Sequence, residues 1–352
     1  MVDRQPAIGG VLLHRYHRQN RRRAVLVAVM AAMAVLGIVL DLVTGPAGLP
    51  LSETLRALTG GEVARATDVI VWQVRLPVAA LALLVGAALA LSGAEMQTVL
   101  ENPLAEPFTL GVSASAALGA ATAIVLGLTL PMLPAQWSIS ANAFLFALGA
   151  LALLQLLGRI RGGGPEVLIL FGIALNFSAA AFLSVLQFVA SADALQQLVF
   201  WTMGSLASAS WQGVAALAVV LAACVPFSIR AAWQLTALRM GEDQARSFGV
   251  DVDALRRWTL LRVSLLAATA VSMVGVIGFV GLAGPHIARM LVGEDHRFFL
   301  PASILTGALV MSLASTLSKM VVPGVLLPVG LVTSLIGLPV FFWLILRGRA
   351  RR

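Results

Sequence analysis

Cysteine and lysine are almost missing from this chain of 352 residues, which holds Cys224 and Lys319 and no other residue of either type. A lone cysteine excludes disulfides within one chain and cysteine-based metal sites. A lone lysine following Ser318 excludes a phosphate-binding loop, which needs Gly-Lys-Ser/Thr so that backbone amides and the lysine cradle phosphates. If ATP drives this protein, another subunit binds it. Charge is scarce too: 11% of residues are charged and 59% are hydrophobic. A soluble domain of this length could not build a polar shell from so little, so the expected class is an all-α polytopic membrane protein. The net charge of +8 does not imply a nucleic-acid surface, because the basic residues sit at the ends of apolar runs, where they orient membrane spans.

The present residues divide into spans. A helix needs about 20 residues to cross ~30 Å of hydrocarbon. Long candidates are 24–43, 76–98, 137–158, 166–189, 211–229, 258–277, 299–320 and 329–347, with shorter apolar pieces near 110–127 and 282–292. Arg4, Arg15, Arg18, Arg21, Arg22 and Arg23 precede the first run. No convincing small-residue cleavage site follows them, which favours an uncleaved span over a secretory signal. With both termini cytoplasmic and ten crossings, 20 of the 24 basic residues fall on the cytoplasmic side, as the positive-inside rule asks. Arg56, Arg65, Arg75 and Lys319 remain outside. The expected organisation is a basic segment 1–23, one membrane domain 24–347 with a cytoplasmic loop near 231–257, and a basic tail 348–352. The runs from Arg75 to Ala105 and from Arg262 to Ala288 echo each other, either as an inverted repeat or by chance similarity of Ala/Leu/Gly-rich helices.

Dropping 282–292 as a crossing would put the arginine-rich tail outside, so GFVGLAGPHIARMLVGEDHR (278–297) must carry the chain back through the membrane. Gly278, Gly281 and Gly284 break a helix, and Pro285 suits the first turn of a new one. The expectation is a half-helix from Pro285 to Val292, stopped by Gly293, with Arg289 at its negative dipole end. Glu294 to Arg297 then land in cytoplasmic water. His286 and His296 lie about 15 Å apart on a helical rise, too far to share a metal. Glu95 is a carboxylate near the membrane, a candidate proton carrier unless it reaches cytoplasmic water beside Glu101. In the longest cytoplasmic loop, Gly241, then Glu242 and Asp243, then Ala245 to Phe248, then Gly249 spell a short helix with acids first and glycine last. Arg246 adds mixed charge, and exposed Phe248 and Val250 would suit a rigid docking element; a solvated connector is the alternative. The four external basic residues suit either interfacial anchoring or docking of an acidic partner.

These residues resemble the permease subunits of type II ABC importers for iron–siderophores, haem and vitamin B12. The motifs carrying the resemblance are VWQVRLP (71–77), ENPLAEPFTLGVSASAALGA (101–120), WTMGSLASASW (201–211), GEDQARSFGVDV (241–252), GFVGLAGPHIARMLVGEDHRFFLPAS (278–303) and GLVTSLIGLPVFFWLILR (330–347). The chain departs from the family pattern at Val78, where a second arginine is common, and at Glu95, where an apolar residue is. The resemblance implies a homodimer of ten-helix subunits in the bacterial inner membrane. Two ATPase subunits, holding ATP and Mg, would sit below, and a periplasmic or lipid-anchored binding protein would dock above. It implies that Gly241 to Val250 sits in an ATPase groove. Asn102 and Leu104, with Gly163 and Gly164, correspond to a cytoplasmic gate, and Leu175, Asn176 and Ser178 line the pathway. Arg65, Lys319 and Arg56 correspond to positions that meet the binding protein.

The expected function is therefore a non-enzymatic permease with no catalytic residue, metal or cofactor of its own. It would pass an iron chelate inward, with ferric siderophore ranked before haem and haem before cobalamin. An ion-coupled secondary transporter using Glu95 is the alternative. An intramembrane enzyme built on His286 lacks any acid or nucleophile at helical spacing on the same face.

Overall fold

The computed structural model describes residues 8–45, 48–130, 134, 137–160, 164–322 and 324–348, and their regular structure is entirely helical. In hydrocarbon every backbone polar group must find a partner inside its own segment, and helices satisfy that need. Helix α1 (Ile8–Val43) carries most of the expected basic segment on its own first turns. Short α2 (Leu51–Leu58) and α3 (Arg65–Val69) follow, and a π-helical turn, Ile70–Arg75, runs directly into α4 (Leu76–Val99). Then come α5 (Val112–Leu126), α6 (Ser138–Ile160), α7 (Pro165–Val189), α8 (Ala192–Thr202), α9 (Trp211–Arg230), α10 (Ala232–Leu238) and α11 (Glu242–Ser247). The chain closes with α12 (Val252–Val274), α13 (Val280–Val292), α14 (His296–Met320) and α15 (Val329–Gly348). Among the described residues, seven helices are long and apolar enough to cross a membrane, and three shorter apolar ones match the two short pieces and the last expected span.

The core is built around α4, whose residues from Val85 to Val99 are all buried. A helix apolar on every side belongs in the middle of a bundle, and α12, α13 and α14 pack around it. Helix α7 is the opposite case: Leu170, Phe177 and Phe188 are all exposed.

The break in the membrane path differs from the sequence expectation. Helix α12 ends at Gly275 (φ +75°), and α13 begins at Val280 after Phe279 in the left-handed region (φ +68°). The half-helix thus starts five residues before Pro285. Pro285 lies inside it and has no backbone N–H to donate to the carbonyl of Gly281; Gln97 supplies the donor instead, its Nε2 donating to that oxygen at 3.4 Å. Gly281 and Gly284 do not break the helix but let it approach its neighbours: a β-carbon on Gly284 would meet Ala90 at 2.8 Å. The broken backbone is satisfied elsewhere, since Ser205 N donates to Val274 O at 2.7 Å and Gly330 N to Gly204 O at 3.1 Å.

Candidate coupling and gating site

The loop after α10 folds as expected into one short helix. Gly241 (φ +116°) turns the chain, α11 follows, and Gly249 (φ +82°) turns it back. Asp251 then caps α12, accepting from Ala254 N at 2.8 Å. Ala245 is fully buried while Phe248 is 58% exposed, so one apolar side chain projects from a fixed base. Val250, expected outside, is instead buried beneath that base, its amide donating to Ala245 O at 3.0 Å. Asp243 faces solvent. Arg246 bonds Glu242 at 2.8 Å and Asp253 at 3.1 Å. The hydrogen bond from Arg246, followed by that from Arg256, holds the Glu242 carboxyl below the usual carboxylate range. The loop is thus a charged, pre-formed knob rather than a slack connector.

The segment carrying Asn102 and Leu104 leaves α4 at the same end. Glu101 takes a left-handed turn (φ +49°), and Asn102 Oδ1 accepts from Leu104 N at 2.9 Å, leaving Leu104 exposed. Ala105, Glu106 and Pro107 then bury again, and the Glu106 carboxylate rests against Gly281 in the first turn of α13. Gly164 is the cap of α7; Gly163 lies outside the described residues. A recess lined by Arg159 of α6, Leu168 of α7 and Asp253 and Arg256 of α12 brings the facing ends of α6 and α7 to the start of α12. Leu175 and Ser178 line a groove of about 600 Å³ between α5, α6 and α7, and Asn176 packs its backbone on Gly111.

At the opposite end, Arg56 and Arg65 are exposed on α2 and α3. Two other basic residues counted with them are not. Arg75 is buried and donates to Leu42 O at 2.8 Å and Val43 O at 3.1 Å, capping α1. Lys319 turns inward to Asp41, with Nζ 2.8 Å from Oδ1 and the carboxylate fully buried. In this conformation Lys319 is not offered to a docked partner. Lys319→Met should therefore act on the fold, lowering stability by about 3 kcal/mol or more because Asp41 is left buried without its cation. Thermal unfolding in detergent checks this, and an unchanged midpoint would contradict it.

Three ionisable groups sit elsewhere than the sequence implied. Glu95 does not reach water: it is fully buried and bonded to Arg262, with Nη2–Oε1 at 2.7 Å and Nε–Oε1 at 3.2 Å. His296 does not land in solvent either. It is 1% exposed, its Nε2 lies 2.8 Å from Thr98 Oγ1, and its Nδ1 lies 3.2 Å from Thr236 Oγ1. Asp295 folds back to cap α14, accepting from Arg297 N at 3.2 Å, while Glu294 and Arg297 stay exposed. Nothing in the sequence alone signals the partners of Glu95 and His296, because each lies 60 residues or more away; Asp295, by contrast, is held locally by Arg297 two residues on. Among the described residues, no three His, Cys, Asp or Glu converge as a metal site would need.

A central buried helix, a second helix path broken between Gly275 and Phe279, and seven described helices long and apolar enough to cross a membrane define a polytopic helical membrane bundle. The comparisons with known proteins give it a family. The profile of the FecCD transport family matches residues 33–347, and the chain belongs to that family of ABC importer permeases. It is 40% identical over 284 residues to the hemin transport system permease protein of Yersinia pestis, covering 80% of this chain and 85% of that one. It is 35% identical over 337 residues to the vitamin B12 import system permease protein of Citrobacter koseri, covering 94% and 97%. A solved metal-chelate type ABC transporter in an inward-facing conformation superposes with a TM-score of 0.81 at 31% identity, over 92% of this chain and 99% of that one.

Proposed function

We propose that this chain is the inner-membrane permease half of an ATP-driven importer that receives a bulky iron chelate from a binding protein and releases it into the cytoplasm. The observation that carries the reading is the knob at Gly241 to Val250, joined through Arg256 to the end of α4 that precedes the Asn102–Leu104 segment, in a fold shared with an inward-facing ABC transporter. A second copy of the chain would cover the exposed apolar side chains of α7, and two ATPase subunits holding ATP and Mg would receive Phe248. The arginine-rich end, with both chain termini, would face the cytoplasm. Arg56 and Arg65 would meet the binding protein at the opposite end. The iron-chelate class, embracing ferric siderophores and haem, is supported by the hemin and metal-chelate relatives. Cobalamin remains the third substrate to test, in view of the vitamin B12 relatives. Proton coupling through Glu95 loses its appeal, because that carboxylate is locked to Arg262 rather than free to exchange a proton with water.

The test is uptake into liposomes containing this chain, its ATPase and its binding protein, with ferric siderophore, haem and cobalamin as the panel. ATP-dependent uptake of an iron chelate is expected. Uptake that survives without the ATPase and collapses with the proton gradient would refute the reading. Gly249→Trp should abolish uptake while the subunit still inserts in the membrane. Position 249 has open space around it and a φ of +82° that an indole side chain adopts only with strain, so the bulk would stand where the ATPase must sit.

A further inference from the structure

The last turns of α4, just before the Asn102–Leu104 segment, are gripped by three other helices. Glu95 is held by Arg262 of α12, and Gln97 Oε1 accepts from Arg289 of α13 at 3.0 Å. Thr98 Oγ1 meets His296 of α14 at 2.8 Å, and Val99 O accepts from Arg256 Nε of α12 at 3.2 Å. Three of these four grips continue to the coupling loop. Arg256 Nη2 donates to Glu242 of α11 at 3.2 Å. His296 bonds Thr236 of α10 through Nδ1 at 3.2 Å and through its backbone amide at 3.0 Å. Arg289 lies 3.5 Å from Glu294, which is bonded in turn to Arg239 at 2.5 Å. Arg239 stands two residues before Gly241.

We propose that this polar collar makes the coupling loop and the end of α4 a single moving body, with Arg256 as its positioning residue, so that displacement of α11 reaches Asn102 and Leu104 directly. The covalent route cannot do this, because Val99 and Arg256 are 157 residues apart along the chain. Arg256 suits the task by chemistry. Its planar guanidinium presents donors in a fixed fork, so one group can hold a helix-end carbonyl and a carboxylate at once. Val99 O belongs to the last turn of α4, where carbonyls lack helical partners and a cation complements the dipole. Arg256 is 4% exposed, so water competes little for either bond. A lysine would keep the charge and lose the fork.

The inference rests on the importer reading, and the experiment separates the two. In a Cys224→Ser background, spin labels at Glu101 and Ser247, both exposed, report the distance between the gate segment and α11. Labelled subunits are diluted with unlabelled ones in the full complex. The wild-type distance should stay the same with and without ATP, because both sites belong to one body. In Arg256→Lys it should shift or broaden on ATP addition, and chelate taken up per ATP hydrolysed should fall about tenfold, within the roughly 5–150-fold range usual for coupling between sites. A thermal midpoint close to wild type would separate this from a loss of fold. If Arg256→Lys does not fold, Glu242→Gln, on the exposed side of the same link, should give the same loss in smaller measure. Wild-type uptake per ATP and an unchanged label distance in the variant would overturn the collar while leaving the importer intact. A wild-type complex showing no ATP-dependent uptake would overturn the importer reading and the collar with it.

Discussion

Arg262→Met is expected to destabilise the fold by about 3–5 kcal/mol, because breaking a buried pair leaves one charge without compensation in a medium that cannot solvate it. Glu95 has no exposed surface, and the Arg262 side chain is only 11% exposed. The geometry is nearly bidentate: Nη2 donates to Oε1 at 2.7 Å, Nε reaches Oε1 at 3.2 Å and Oε2 at 3.4 Å, and Nη2 also lies 3.0 Å from Thr259 Oγ1. Removing the arginine therefore strands a carboxylate between α4, α9 and α12. The companion experiment decides whether the pair stabilises or merely tolerates burial. Replacing both partners with apolar groups of similar volume, as in Glu95→Leu with Arg262→Met, should recover most of the loss, since an apolar pair there has nothing to desolvate. Cys224 supplies the probe: it is the chain's one thiol and is 4% exposed, so a thiol-reactive dye reports unfolding on heating in detergent. A double variant as unstable as Arg262→Met would show that the ionic pair contributes net stability, and a stable single variant would show that Glu95 finds another partner.

Much of the architecture was legible because membrane spans are encoded locally. Length and apolarity placed the long helices, and counting charge asks for a further segment at 282–292, where the short apolar helix Val280–Val292 forms. The short helix between Gly241 and Gly249 was equally legible, since two glycines and two acids mark it within ten residues. What stayed hidden was whatever depends on a distant partner. Pro285 suggested a helix start because a proline in mid-helix leaves a carbonyl unpaired; the sequence does not show that Gln97, 184 residues away, stands over Gly281 O. His296 sits in a charged run and looked like a landing in water, yet Thr98 and Thr236 close around it. Glu95 reads as a proton carrier or a water-facing group because its counter-ion stands 167 residues on. Charge counting puts Lys319 and Arg75 among the external charges, and both turn inward, one to Asp41 and one to the end of α1.

Gly93→Ala should be severely damaging, although alanine is the better helix former. A β-carbon at position 93 would fall on the carbonyl of Gly281, far inside van der Waals contact with backbone atoms that cannot swing aside as a flexible side chain would. Helix packing in membranes relies on such close approaches between small residues, and α4 meets α13 and α14 through Gly86, Ala90 and Gly93 on one side. Overpacking a core usually costs about 1–3 kcal/mol when side chains can shift; here the obstacle is backbone, so the loss should reach or pass the top of that range. The consequence is also directional. Pushing α13 off α4 would lengthen the Gln97–Gly281 contact, already 3.4 Å, and strain the Gln97–Arg289 bond that holds the end of α4. Gly149→Ala is the matched control, since it lies within α6 with nothing near the added carbon. Alanine there should be neutral or stabilise by up to about 1 kcal/mol through helix propensity. Thermal midpoints of the two variants, read by the Cys224 dye, should therefore move in opposite directions or differ by at least several degrees. Equal midpoints would mean that α13 is free to lean away from α4, and the rigid broken helix would lose its physical basis.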